Sequence, residues 1–177
     1  MLDLAVAYNR YRFLGDEFIT WLWFLIETDQ NAFREMDPDC TELEIGSRVV
    51  LENRQKKSLE RISIRGDDAG LEEGRLALKK GALLTEISLI FKTGEHQWQF
   101  SLKGESLNLS NLKTPGPALP PSAEEMESFI LDKSEQLNKI TNFIELAFKA
   151  FMRVRVSNKW ENKMVPNIKK WINSAAA

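Results

Sequence analysis

Residues 18–26 read Phe-Ile-Thr-Trp-Leu-Trp-Phe-Leu-Ile, a run with one hydroxyl and no charge. Nine residues fall far short of the roughly 20 that a membrane-spanning helix needs, so this run belongs inside a folded protein. Residues 15–28 read as a helix, with Gly15-Asp16 as its start and Asp16 and Glu17 set against the positive end of the helix dipole. Glu27 and Asp29 are expected at a solvated far end of the helix. A helix that is apolar on all sides is buried by several elements or lies in an interface. Trp21 and Trp23 stand about 200° apart on a helical wheel, so one core face cannot take both. One is expected to meet a second element or a second subunit, and Trp21, Trp23 and Phe24 are the candidate interface residues.

The rest of the chain can supply that burial. Its 177 residues are 43% apolar and 28% charged, the size and composition of one domain that buries about 70% of its unfolded surface. Cys40 is the only cysteine, so no intramolecular disulfide forms and a reducing compartment fits. No basic segment precedes the apolar residues near Met1, which argues against a secretory leader and for a cytoplasmic protein.

Strand material follows the aromatic run. Residues 41–45 and 48–52 flank Gly46-Ser47, a two-residue hairpin signal. Residues 59–65 alternate with the strand period after a polar turn over 53–57. Residues 71–80 read as a short helix with Asp68 as cap and Gly81 as stop. A second hairpin, 83–92 with 96–103, turns at Thr93-Gly94-Glu95, and 107–112 adds a short edge strand. Residues 113–121 hold four prolines, which prevent helix. Beyond them Ser122 is expected to cap a long helix, with Glu125 completing a capping box. Met126, Phe129, Ile130, Leu137, Ile140, Ile144, Ala147 and Phe151 recur at three- and four-residue steps as one continuous apolar face, widened by Phe143 and Phe148. A last short helix begins near Pro166. The expected fold is α+β: an antiparallel sheet of about five strands with a helical insertion, an N-terminal buried aromatic helix and a long C-terminal helix. Residues 1–114 form the core domain, 115–121 a linker, and 122–177 a helical segment packed on the core.

Few residues offer catalytic chemistry. His96, the single histidine, has no histidine partner for a metal site or triad, and a half-exposed strand or loop position accounts for it. Cys40 sits in a polar loop with no basic neighbour in sequence to activate it, so it reads as a structural thiol. Phosphate-binding, dinucleotide-binding and nucleophile-elbow motifs are absent. Asp39, Glu161 and Lys163 echo an acidic–acidic–lysine nuclease pattern, but about 120 residues separate the two acids. Stacking of nucleobases on Trp21 and Trp23 is disfavoured by the carboxylates around them. No catalytic residue, metal, cofactor or small-molecule substrate is therefore expected.

Charge distribution is more informative. The chain's net charge is −2, yet residues 1–50 sum to −6 and residues 149–177 to +6. Arg153, Arg155, Lys159, Lys163, Lys169 and Lys170 supply most of the basic end, and Arg54, Lys56 and Lys57, with Arg61 and Arg65, make a second cluster. Such asymmetry marks either a phosphate-binding surface or a basic tail that meets the acidic half of another subunit.

Residues 12–24, Arg-Phe-Leu-Gly-Asp-Glu-Phe-Ile-Thr-Trp-Leu-Trp-Phe, resemble the start of the core in the recombination-associated protein RdgC family. The resemblance continues through Leu-Glu-Ile-Gly at 43–46, Val-Leu-Glu at 50–52, Ile-Arg-Gly at 64–66, the stretch 72–86, and Leu-Ser-Asn-Leu-Lys at 109–113. It covers about residues 12–115 and matches the C-terminal part of longer members, whose additional N-terminal half helps close a ring. The resemblance implies a homodimer that binds double-stranded DNA without sequence preference and restrains recombination, with no cofactor and no catalytic residue. Read this way, the two basic clusters are the DNA-binding candidates and the protein works at the nucleoid. The alternative is a protein–protein interaction or oligomerisation module that binds no nucleic acid.

Overall fold

A computed structural model describes residues 4–53 and 60–175, with side chains from residue 13 onward. Five strands form one antiparallel sheet in the order β2-β1-β3-β4-β5: β1 Glu42–Asn53, β2 Glu60–Arg65, β3 Leu83–Thr93, β4 His96–Lys103 and β5 Leu109–Lys113. Helix α3, Asp68–Lys79, is inserted between β2 and β3. The remaining helices are α1 Leu4–Thr28, α2 Asn31–Met36, α4 Met126–Arg155 and α5 Val165–Asn173, with a π-helical turn at Trp160–Met164. The fold is α+β, as the alternation of strand and helix periods predicts. Among the described residues no helix is long and apolar enough to cross a membrane.

One hydrophobic core joins the core-facing side of the sheet to α1, α2, α4 and α5. Phe91 and Trp98 rise from β3 and β4 towards α4, and the Phe91 and Phe143 rings lie 4.6 Å apart. Trp98 Nε1 donates to the Gln136 carbonyl of α4 at 3.2 Å. Lys133 fastens the same helix to the proline segment through Thr114 Oγ1 at 2.7 Å and the Pro115 carbonyl at 3.0 Å.

Several sequence expectations give way to tertiary geometry. Gly15-Asp16 is no helix start: α1 begins by Leu4, and Gly15 lies within it. Glycine is needed there because a Cβ at 15 would sit 1.6 Å from the Gly104 carbonyl oxygen on the turn after β4. Asp16 and Glu17 therefore do not face a helix dipole. Gly46-Ser47 is no hairpin either. Residues 42–53 form one strand, and its pairing with β3 shifts register between Ile45 and Val49. Gly46 is required for close packing across the sheet, since its Cβ would meet Ser88 Oγ at 2.5 Å. Asp67, not Asp68, caps α3, accepting from Gly70 N at 2.9 Å. The edge strand starts at Leu109, because Leu107 takes the left-handed φ of 54°. Ser122 does not box the start of α4: the helix begins four residues later, and the Ser122 hydroxyl reaches the Glu125 side chain at 3.4 Å.

The apolar face of α4 is likewise not continuous in its surroundings. Ile140, Phe143, Ile144, Ala147 and Phe151 are buried. Met126, Ile130, Leu131 and Leu137 are 44%, 55%, 64% and 45% exposed.

The three proposed interface residues are interior. Trp21, Trp23 and Phe24 are all buried by this chain's own helices. Trp21 packs on Phe18 and Phe151, while Trp23 and Phe24 meet Trp171 of α5. The second element expected for one tryptophan thus exists, and it needs no second subunit. Glu27 fixes the arrangement. Its carboxylate accepts from Trp23 Nε1 at 2.6 Å and Trp171 Nε1 at 2.8 Å, and lies 3.5 Å from the Arg75 guanidinium of α3.

Candidate nucleic-acid interface

The chain after α4 folds so that its aromatic residues point in and its cations point out. Trp160 in the π turn packs edge-on against Phe151 at 5.6 Å, and Trp171 is held by Glu27. These two anchors fix the solvent side of the terminal helices. Arg153, Lys159, Lys163, Lys169 and Lys170 are exposed there, and none makes an ion pair among the described residues. Lys159 and Lys163 sit four residues apart across the π turn, with Lys170 seven further on. Five exposed cations within 18 residues, with Glu161 the one acid among them, give this segment a positive charge.

Arg155 differs from its neighbours. Its Nε donates to Glu17 Oε2 at 2.7 Å, and its guanidinium lies over the Trp160 ring at 5.1 Å. The cation locks α4 to α1 and is held away from a ligand. Arg54, Lys56 and Lys57 lie outside the described residues. Arg61, nearest to them, pairs with Glu86 at 3.3 Å.

The sheet carries charges of both signs. Lys92 bridges Glu44 at 2.7 Å and Glu42 at 2.9 Å, and hydrogen bonds to Glu44 and then Glu42 raise its pKa. Arg48 donates to Ser63 Oγ at 3.0 Å. Arg48 also stands directly across from Arg65, and both are exposed, so the β1–β2 edge sets two cations side by side.

Catalytic alternatives find little support in the geometry. Asp39 is bound by Lys139 at 2.6 Å, opposite the middle of α4. Glu161 and Lys163 lie beyond the far end of that helix, and the span from 139 to 155 is about 24 Å at the helical rise. The three nuclease candidates are thus kept apart. Lys139 also faces Asp37 at 3.4 Å; burial alone would lower its pKa, but the Asp39 hydrogen bond and the two carboxylates raise it. Cys40 is buried, and burial followed by the Asp37 charge pushes its thiol up to about 12, which leaves it protonated and inert. His96 is exposed at the start of β4. Among the described residues no group of three or more His, Cys, Asp or Glu side chains is placed to hold a metal ion.

A second surface lies beside the basic one. A cavity of about 500 Å³ opens between α1, the turn after α3, and the terminal helices. Leu84, Trp160, Ile168 and Ile172 line it, Phe13 and Leu83 stand half exposed at its edge, and Lys169 borders it. Periodicity assigns its residues to several separate elements, so nothing in the sequence brings Leu83 together with Ile168. Glu27 was equally hidden. Its spacing of four from Trp23 is readable on a helix, but Trp171 is 144 residues away.

Comparison of the chain with protein-family models and with curated proteins finds no match.

Proposed function

We propose that this chain is a non-catalytic protein of the RdgC-like type that binds double-stranded DNA without sequence preference, as a homodimer, and modulates homologous recombination. In this reading it works in the cytoplasm at the nucleoid and uses no cofactor or small-molecule substrate. One observation carries the DNA contact: Arg153, Lys159, Lys163, Lys169 and Lys170 fall within one short terminal segment, are exposed and make no ion pair among the described residues, whereas Arg155 among them is held by Glu17. Exposed cations on a rigid helical end neutralise phosphates and release their counterions, which requires no base reading.

Fluorescence anisotropy with two duplexes of unrelated sequence tests this. Both bind equally, and log affinity falls against log salt with a slope of about −4.5 for five phosphate contacts. A flat salt response, or a strong preference for one duplex, contradicts the reading.

A second reading, an interaction module, is supported by a different observation: the uncovered apolar residues Met126, Ile130, Leu131 and Leu137 on the first half of α4.

A further inference from the structure

The four cations of strands β1, β2 and β3 differ in what they meet. Lys92 is bridged by Glu42 and Glu44, and Arg61 is paired with Glu86. Arg48 and Arg65 make no ion pair among the described residues. They stand directly across from each other in the β1–β2 ladder instead, and both are exposed. Two like charges at such a position repel and work against the strand pairing. The acids that follow Arg65 do not relieve this. Asp67 is turned to the Gly70 amide as the cap of α3, and Asp68 forms no ion pair with either arginine.

The pair stands on a specially shaped part of the sheet. Ile45 is opposite Leu89 and Val49 is opposite Ile87, so residues 46–48 of β1 bulge against Ser88 alone. A bulge re-aims the side chains it carries. Gly46 seats the bulge on Ser88, and Gly66, whose Cβ would overlap the Gly46 carbonyl oxygen, lets the end of β2 close over it. Gly66 N then donates to the Ser47 carbonyl at 3.3 Å. Within this frame Arg48 is oriented by its own bond from Nε to Ser63 Oγ at 3.0 Å. That bond uses one of the guanidinium's N–H groups and leaves both terminal nitrogens to donate, and the Ser63 hydroxyl keeps its proton to donate as well.

Two oriented guanidiniums side by side define the ligand. Their planar forks match the oxygens of a phosphate group. A phosphate monoester carries about −1.5 to −2 charge at pH 7 and offsets both arginines, whereas a carboxylate or a backbone phosphodiester carries a single charge. Position separates this pair from the basic end. Val49 and Ile64, the sequence neighbours of Arg48 and Arg65, point into the core with the helices, so the arginines project from the other face of the sheet. The terminal helices, anchored by Trp160 and Trp171, belong to the core side.

We propose that Arg48 and Arg65, with the Ser63 hydroxyl, form a binding site for a phosphate monoester dianion, as carried by a free nucleotide or by the 5′ end of a DNA strand. The site does not rest on the DNA contact at the basic end. A bound dianion removes the repulsion that the empty pair builds into the strand register.

The test is titration of the full chain with inorganic phosphate, followed by the arginine Nε–Hε NMR signals, against sodium chloride at matched ionic strength. The Arg48 and Arg65 signals are expected to move together and to saturate, with a dissociation constant on the order of 1 mM. Arg48→Gln and Arg65→Gln each weaken binding at least about 10-fold. Both positions are exposed, so circular dichroism should report an unchanged fold. Lys113→Gln, which removes an exposed cation from the opposite edge strand, leaves binding unchanged. Signals that move no more in phosphate than in chloride, or that titrate equally in parent and arginine variants, overturn the proposal.

A duplex with a 5′-phosphate and the same duplex without it identify the source. A preference for the phosphorylated duplex that disappears in Arg65→Gln assigns the site to DNA ends. Equal binding of the two duplexes, with inorganic phosphate still saturating the pair, assigns it to a free phosphate monoester. A chain that binds duplex DNA while phosphate leaves both arginine signals unmoved defeats this proposal alone. One whose arginines saturate with phosphate while neither duplex binds defeats the DNA reading alone.

Discussion

From Ile140 to Phe151 helix α4 lies with its apolar face against Phe33, Phe91, Phe18 and Trp160. From Met126 to Leu137 the same three-and-four spacing presents Met126, Ile130 and Leu137 to water. The two halves share a rhythm and differ in what the rest of the chain places beside them. Periodicity states which face of a helix is apolar; it does not state how far along the helix that face is covered. An apolar face half covered by its own chain leaves its other half facing solvent.

The sharpest way to break this comparison is to truncate one residue from each half. Phe143→Ala removes a ring packed on Phe91 and is expected to cost about 3–5 kcal/mol in urea denaturation. Ile130→Ala, on the exposed half, changes stability by no more than about 0.5 kcal/mol. Equal losses at the two positions would remove the distinction.

The covered region has its own keystone. Glu27→Ala leaves the Trp23 and Trp171 indole N–H groups without their acceptor and is expected to cost about 2–3 kcal/mol. Glu27→Gln keeps an acceptor and should recover part of that loss. If the alanine variant unfolds at the same urea concentration as the parent, α1 and α5 are held by ring packing alone.

A pH titration sharpens the boundary between the halves. Cys40 lies near it, beside Asp37, and its thiol rises from 9.0 to about 12 on folding. Between those values the unfolded chain binds fewer protons than the folded one, so stability falls as pH rises above 9, by up to about 1.4 kcal/mol per pH unit. Full stability is retained below pH 9 on this account. Cys40→Ala should flatten that part of the profile, and an unchanged slope would show the thiol to be accessible.

A smaller loss than at Phe143 or Glu27 is expected at Lys139, which ties the middle of α4 to Asp37 and Asp39. Lys139→Ala should cost about 0.5–1 kcal/mol, since Asp39 is largely exposed and its attraction is screened. A larger loss in thermal denaturation would mean that this pair, rather than the phenylalanines, sets where the covered half begins.

Much of the fold can be read from local signals. The second hairpin, with its Gly94 turn, and the helix after the proline segment follow from alternation, turn residues and three-and-four spacing. What cannot be read is set by residues distant in sequence. Gly15 resembles a helix start, because only Gly104 reveals that it marks a close approach. Gly46-Ser47 resembles a hairpin, because only β3 shows the strand running through. Trp21 and Trp23 were expected to leave one tryptophan for another element or subunit, and α4 and α5 of the same chain bury both. The basic end was visible as charge, yet the loss of Arg155 to Glu17 depends on a contact across 138 residues.

The most direct measurement compares duplex DNA binding by the parent chain with that of Lys159→Glu/Lys163→Glu/Lys170→Glu, at one fixed low salt concentration. These side chains are exposed and touch neither the cavity beside Trp160 nor the core, so folding and self-association serve as internal controls. Loss of three phosphate contacts is expected to reduce affinity at least about 100-fold and to lower the salt slope by about 3. Unchanged affinity and slope in a folded variant would contradict the assignment of the basic end to DNA.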